Sequence, residues 1–274
     1  MRLLFSFILL VLTGCGSSEK LKQTPKVLPT NLAEAVESQF RTADNKARDQ
    51  YRHPVQTLEF FGVKPNMTVV EISPSRGWYT QILAPYLAQS GKYYAATTPS
   101  EVNEYFKKSN DAFNDWVKSH PELEGKVTVT QFSPPTLIEV APAESADMVL
   151  TFRNVHNWMA AGSQDAAFKA FYKALKPGGI LGVVEHRAND RNKQDPKAKS
   201  GYVSEKHVIA LAKKAGFKFV AKSEINANSK DTKDYPDGVW TLPPALRLGE
   251  KDRARYQDIG ESDRMTLKFV KPTK

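Results

Sequence analysis

Residues 67–78 read Met67-Thr68-Val69-Val70-Glu71-Ile72-Ser73-Pro74-Ser75-Arg76-Gly77-Trp78. The first half is an apolar, β-branched run and reads as a strand. The second half carries the serines, proline and glycine of a turn. Val63-Lys64-Pro65-Asn66 ahead of it is a turn as well. Tyr79 to Leu87 behind it reads as a helix with Ile82, Leu83, Tyr86 and Leu87 on one face, and Pro85 argues against an undistorted course. A strand, a tight turn and a helix form the opening unit of a parallel α/β sheet. Such sheets bind ligands at the carboxyl ends of their strands, where the strand order reverses, so the turn at 73–78 is the first candidate for a site.

The pattern continues outward. Leu32, Ala35, Val36 and Phe40 share a helical face near the start. Strands are expected at Tyr93 to Thr97, Val127 to Phe132, Ala146 to Phe152, Ile180 to Val184, Phe217 to Ile225 and Met265 to Val270. Helices are expected at Val102 to Val117, at Ala166 to Leu175, and after the Ser204 cap up to Gly216. Lys176-Pro177-Gly178-Gly179 reads as a turn. Ala146 to Phe152 and Ile180 to Val184 are nearly continuous apolar runs, as in strands buried on both faces. The fold class is α/β, with a seven-stranded, mostly parallel sheet covered by helices on both sides. Residues 226–263 join the last two strands through a long loop that serves either as a lid or as a surface excursion; a short helix is expected at Glu250 to Gln257.

Composition narrows the function. Of 274 residues, 41% are hydrophobic and 25% charged, which suits a globular chain and excludes collagen, coiled coil and wholesale disorder. Lys and Arg number 39 against 30 Asp and Glu, a formal charge of +9 without a basic block or a nucleic-acid-binding motif, so no nucleic-acid partner is expected. A single cysteine rules out an intramolecular disulfide and a cysteine-based zinc cluster. The five histidines show no paired ligand spacing, and no metal is expected.

The N-terminus has its own logic. Arg2 precedes an apolar run, Leu3 to Leu12, too short to span a bilayer as a helix and of the length of a signal-peptide core. Leu12-Thr13-Gly14-Cys15 then resembles the lipobox of bacterial lipoproteins. That resemblance implies a signal peptide over 1–14 and a lipidated Cys15 inserted in the bilayer. It also implies export, with the outer membrane favoured because no Asp follows the cysteine. Residues up to Thr30 read as a flexible tether, and 31–274 as the folded domain.

The order of motifs resembles class I S-adenosylmethionine-dependent methyltransferases. These carry acidic-x-Gly-x-Gly-x-Gly after the first strand, and Glu71, Ser73, Ser75 and Gly77 occupy those positions. Leu175-Lys176-Pro177-Gly178-Gly179 and Lys214-Ala215-Gly216-Phe217 are similar to signatures ahead of the fifth and sixth strands. Tyr51-Arg52-His53-Pro54, Gly77-Trp78-Tyr79-Thr80, Val155-His156-Asn157-Trp158, Glu185-His186-Arg187 and Ser200-Gly201-Tyr202-Val203-Ser204 resemble a narrower family of predicted bacterial methyltransferases, often exported. The resemblance implies a Rossmann-like methyltransferase sheet with an antiparallel last strand, S-adenosylmethionine as cofactor, and a small-molecule acceptor. It departs at the second strand, which ends Ala96-Thr97-Thr98 where the family places an acid for the cofactor ribose; a hydroxyl there bonds less strongly than a charged partner.

The implied cofactor positions are Glu71, Ser73, Ser75, Gly77, Trp78, Thr97 and Asn154. Glu71 either braces the turn or meets the cofactor, and Gly77 would let the backbone approach it. His156 and His186, after the fourth and fifth strands, are candidate bases, since an unperturbed histidine titrates near neutral pH; each could equally be structural. Tyr51, Arg52, Asn157, Glu185, Arg187 and Tyr202 are candidate pocket residues. Hydrolase and dehydrogenase signatures, Gly-x-Ser-x-Gly and Gly-x-Gly-x-x-Gly, are absent from the mature chain. Tyr202 and Lys206 have reductase spacing, but Ser204 as a helix cap leaves Tyr202 outside the required helix. The remaining alternative is a methyltransferase-like scaffold without catalysis, serving as a binding or structural envelope lipoprotein. The lipobox reading has a direct check: Cys15→Ser, followed by cell fractionation, should release the protein from the membrane or leave it unprocessed, and a fully processed, membrane-bound variant would refute it.

Overall fold

Along β1 (Thr68–Ile72) successive side chains enter different cores: Val69 packs in one, Val70 and Ile72 in the other. The computed structural model describes residues 26–189, 191 and 193–273, so the leader, Cys15 and the first part of the tether lie outside the described residues. The remaining strands are β2 (Lys92–Thr97), β3 (Val127–Gln131), β4 (Ala146–Phe152), β5 (Leu175–His186), β6 (Lys218–Ser223) and β7 (Arg264–Val270). They form one sheet in the order β3-β2-β1-β4-β5-β7-β6, with β7 antiparallel to β5 and β6 and the other pairs parallel. The reversal of order falls between β1 and β4, where their ends open a crevice.

Two apolar layers cover the sheet. One packs Phe168, Phe171, Val208 and Leu211 from the helices Gln164–Ala174 and Glu205–Lys214 onto Val149, Leu181 and Leu267. The other packs Leu58 and Phe61 of Pro54–Phe61, Ile82 and Leu83 of Thr80–Leu87, and Phe113 of Glu104–Lys118 onto Val69, Met148 and Leu150. The helix Thr80–Leu87 runs through Pro85.

Several expectations change. Lys176-Pro177-Gly178-Gly179 is drawn into β5 as an irregularity: Ala146 pairs with Leu175 but Met148 with Ile180, and Gly178 and Gly179 are clipped to the backbone of Lys271. The end of the tether is docked. Lys26 N donates to Glu122 Oε1 at 2.6 Å, its ammonium lies 5.4 Å over the Phe40 ring, and Pro29 is buried. The helices Ala43–Lys46, Asp49–Arg52 and Val155–Ala161 were not expected; each is too short to show a helical period. The late helix runs Arg253–Ile259, slightly later than expected. Residues 226–263 build a small core of Tyr235, Leu242 and Tyr256 and lie over the carboxyl ends of the strands. None of the described helices is long and apolar enough to cross a membrane.

β5 approaches the helix above it so closely that only glycine fits at 182. A Cβ there would lie 2.6 Å from Leu150 Cδ2 and 2.9 Å from the Phe61 ring. Overpacking of this kind costs about 1–3 kcal/mol. Gly182→Ala should therefore lower Tm by several degrees, measured by thermal melting of the purified chain.

Candidate active site

The ends of β1, β2, β4 and β5 frame a cleft of about 960 Å³. The turn after β1 forms one wall. Ser73 and Ser75 adopt φ 49° and 55°, the left-handed region that glycine prefers, so serines at motif-glycine positions keep a glycine-like course. Both line the cleft; Ser73 Oγ is 3.5 Å from Thr98 Oγ1, and Ser75 Oγ is 3.3 Å from Tyr105 OH. Gly77 has φ 84°, but it does not line the cleft, and a Cβ there would meet Thr80 at 3.2 Å. Its glycine serves the backbone turn, not the close approach of a ligand.

Glu71 is buried and accepts hydrogen bonds from Tyr93 OH at 2.6 Å and Thr80 Oγ1 at 3.0 Å. It thereby ties β1 to β2 and to the helix after the turn, through side chains and not through turn amides. The guanidinium groups of Arg41 and Arg52 lie over the Trp78 ring, at 5.0 and 4.7 Å from its centre, and Trp78 donates Nε1–H to Asn45 O at 3.0 Å. Thr97 lines the cleft, with its hydroxyl donated to Thr130 O at 3.3 Å. Asn154 Nδ2 bridges Ile72 O and Thr151 Oγ1 at 3.1 and 3.2 Å, joining the ends of β1 and β4.

At the other end, Glu185 is fully buried behind the wall. It accepts from His156 Nδ1 at 3.0 Å, from His156 N at 3.3 Å and from His186 N at 2.8 Å. With Glu185 as acceptor, the His156 ring proton lies on Nδ1 and the lone pair on Nε2. The His186 ring is 5.4 Å from that of His156, and its Nδ1 is 2.5 Å from Ser262 Oγ. Burial, His156 and the charges of Arg153, Arg264 and Arg52 push the His186 pKa well below the ordinary histidine value. The sequence spacing of the histidines gave no sign of this grouping, yet one ligand atom from each of His156, Glu185 and His186 falls within 4.8 Å of the others. The neighbouring guanidiniums make that corner less suited to a cation.

Arg52, Asn157, His156 and His186 line the cleft with the turn residues, whereas Glu185 supports them from behind. Three expected pocket residues face elsewhere. Arg187 pairs with Asp263, Glu205 and Glu224 on the opposite side of β5. Tyr202 OH donates to Asp231 at 2.8 Å and so anchors the late segment. Tyr51 offers its carbonyl to Arg264 and packs its ring under Gly260. Residues that sequence reasoning did not single out also line the cleft. Ser109 Oγ is buried without a partner among the described residues, Asn110 donates to Thr98 O at 2.8 Å, and Arg153 follows β4 with φ 62°. Trp240, Pro243 and Arg247 cover the opening from the late segment, with Arg247 4.8 Å over the Trp240 ring. That segment is therefore part of the site wall.

The strand order, the reversed β7 and a cleft over the first turn define the Rossmann-like fold of class I methyltransferases. Similar solved structures include a SAM-dependent methyltransferase from Aquifex aeolicus, with TM-score 0.54 and 17% identity over 82% of this chain and 93% of that one. The 4+2 cyclase SpnF has TM-score 0.56 and 16% identity over 87% of this chain and 86% of its own. A SAM-dependent methyltransferase from Methanosarcina mazei has TM-score 0.52 and 12% identity over 79% and 97%. No family model and no curated protein matches the sequence.

Glu71 supplies a pH test of this frame. Burial lifts its pKa from 4.5 to about 7 against the opposing hydrogen bonds from Tyr93 and Thr80. The folded chain then binds the proton more tightly than the unfolded one, so this group's contribution to stability falls as pH rises from about 4.5 to about 7. The full loss is on the order of 3 kcal/mol. Urea midpoints across that window should show the slope in wild type and a flatter profile in Glu71→Gln.

Proposed function

We propose that the chain is an S-adenosylmethionine-dependent methyltransferase held at the bacterial envelope by lipid on Cys15, with the outer membrane favoured, acting on a small molecule with a proton-bearing oxygen or nitrogen. The observation that carries this reading is the open cleft at the β1–β4 reversal, with glycine-like serines at one end and the His156–Glu185 pair at the other. The cofactor's fit is supported by Ser109 Oγ, a buried hydroxyl without a partner among the described residues that lines the cleft beside Asn110 and Thr98. Ser73, Ser75, Thr97 and Asn154 would complete its binding wall. When bound, S-adenosylmethionine supplies an electrophilic methyl group on a sulfonium.

The chain's own part is alignment, exclusion of water and handling of one proton. His156 Nε2 takes the proton from the acceptor, and Glu185 steadies the imidazolium that results. His186 is held neutral by its burial, with His156 and the arginines around it adding to the effect, and positions its surroundings through Ser262. Trp240 and Pro243 line the cleft from the late segment. The scaffold reading draws on the Thr97 end of β2, which offers no charged partner to a ribose, and on the open cleft it predicts binding without turnover.

Calorimetric titration of the full chain with S-adenosylmethionine separates these readings from a chain that does not use the cofactor, which would show no binding. Once an acceptor is identified, His156→Ala should lower kcat by about 10²–10⁴, the range that general-base catalysis spans, and remove the fall of activity on the acid side of the pH profile. Full turnover with an unchanged pH profile in that variant would assign the proton to another group.

A further inference from the structure

Charge is unevenly distributed around the cleft. Glu261 is ion-paired with Arg48, Arg52 and Arg264, at 2.7, 3.0 and 3.0 Å, and Arg153 adds a fourth positive charge to the same carboxylate from the end of β4. Glu185, the other acid of this corner, is occupied by His156 and two backbone amides. Two of the four arginines line the cleft. Arg52 is 1% exposed; its Nε is engaged by Glu261, its plane lies over Trp78, and its Nη2 has no partner among the described residues. Arg153 makes no ion pair and no side-chain hydrogen bond among the described residues. It also holds φ 62°, a conformation that strains a residue with a Cβ. A strained backbone and an unmatched charge beside like charges are both unfavourable to folding, and both fall on one residue at the wall of a cleft.

The geometry points to an anion site in which Arg52 and Arg153 together hold a carboxylate or phosphate group of the ligand. Two planar guanidiniums at one cleft wall suit such a group, and its charge would offset the excess of arginine over carboxylate. The site itself stands on these observations. Only the source of the anion rests on the methyltransferase reading, since either the amino-acid end of the cofactor or an acidic acceptor would bring it.

The test compares the full-length wild type with Arg153→Gly, which removes the charge and fits the left-handed backbone. Three probes are titrated calorimetrically: inorganic phosphate, S-adenosylhomocysteine, and 5′-methylthioadenosine, which lacks the amino-acid end. The variant should melt no lower than wild type and should bind phosphate at least tenfold more weakly. If the cofactor carries the anion, the variant also loses at least tenfold on S-adenosylhomocysteine and nothing on 5′-methylthioadenosine. If the acceptor carries it, both nucleosides bind unchanged and phosphate binds alongside them. Equal phosphate affinity in the two proteins overturns the site. A variant melting several degrees lower overturns it too, because Arg153 would then be a structural brace. Phosphate binding needs no nucleoside, so a failure of both nucleosides to bind would count against the methyltransferase reading and leave the anion site to be judged on the phosphate result.

Discussion

The Glu261 carboxylate joins parts of the chain that lie far apart in sequence. Arg48 and Arg52 come from the N-terminal helices, Arg264 from β7, and all three meet it within 3.0 Å. Burial alone would raise the pKa of Glu261, but Arg52, Arg264, Arg48 and Arg153 hold it at about 2. It therefore stays ionised in an enclosed place where an isolated charge would be expelled. This pairing fixes the N-terminal helices against the start of β7, and Arg52, so held, lies over Trp78. The wall of the cleft between the first turn and β7 is assembled by this interaction. Removing the carboxylate would strand several buried guanidiniums, so the cluster is a constraint on the fold as much as on the site.

Burial, together with the same arginines, keeps His186 from gaining a proton. The two histidines follow adjacent strands at the same sheet edge, and position alone does not distinguish them. His186 faces Arg52, Arg153 and Arg264 without a carboxylate of its own and gives its Nδ1 contact to Ser262. His156 has Glu185 against its Nδ1, a negative charge that offsets the imidazolium formed when Nε2 accepts a proton. A base working beside cationic neighbours needs such a counter-charge. The His156–Glu185 pair joins the helix that follows β4 to β5, and that adjacency comes from the pairing of the two strands, not from sequence spacing.

The seven strands were legible because each buried run is apolar and bounded by turn residues, and because alternation with helices implies a parallel sheet. The candidate site was legible where it follows strand ends: Ser73, Ser75, Asn154, His156 and His186 all reach the cleft. Arg187 was misplaced for a reason the pleat supplies. It is one residue beyond His186, so its side chain points to the other face, where Asp263, Glu205 and Glu224 receive it. Tyr202 is likewise spent on Asp231. Arg153 lay unnoticed between Phe152 and Asn154 because an arginine in a loop carries no sign of its backbone angle. Glu261 and Trp240 reach the site only through the long segment before β7, whose docking depends on contacts such as Gly238 packed against Ser200.

The serines of the first turn fit a wider feature of their end of the cleft. Each keeps a left-handed backbone that glycine would hold without strain, and each adds a hydroxyl that glycine lacks. Across from them stand Thr97, Thr98, Ser109, Asn110 and Tyr105, all neutral. Neutral hydroxyls and amides form individually weaker bonds than a charged acceptor, and they do not change with pH. Charge is instead gathered at the opposite end, on the arginines around Glu261 and in the His156–Glu185 pair. Apart from the buried Glu71, the cleft thus separates a half lined by hydroxyls and amides from a half that carries the arginines and the His156–Glu185 pair. A ligand spanning both halves would be oriented by that difference before any closer contact is made.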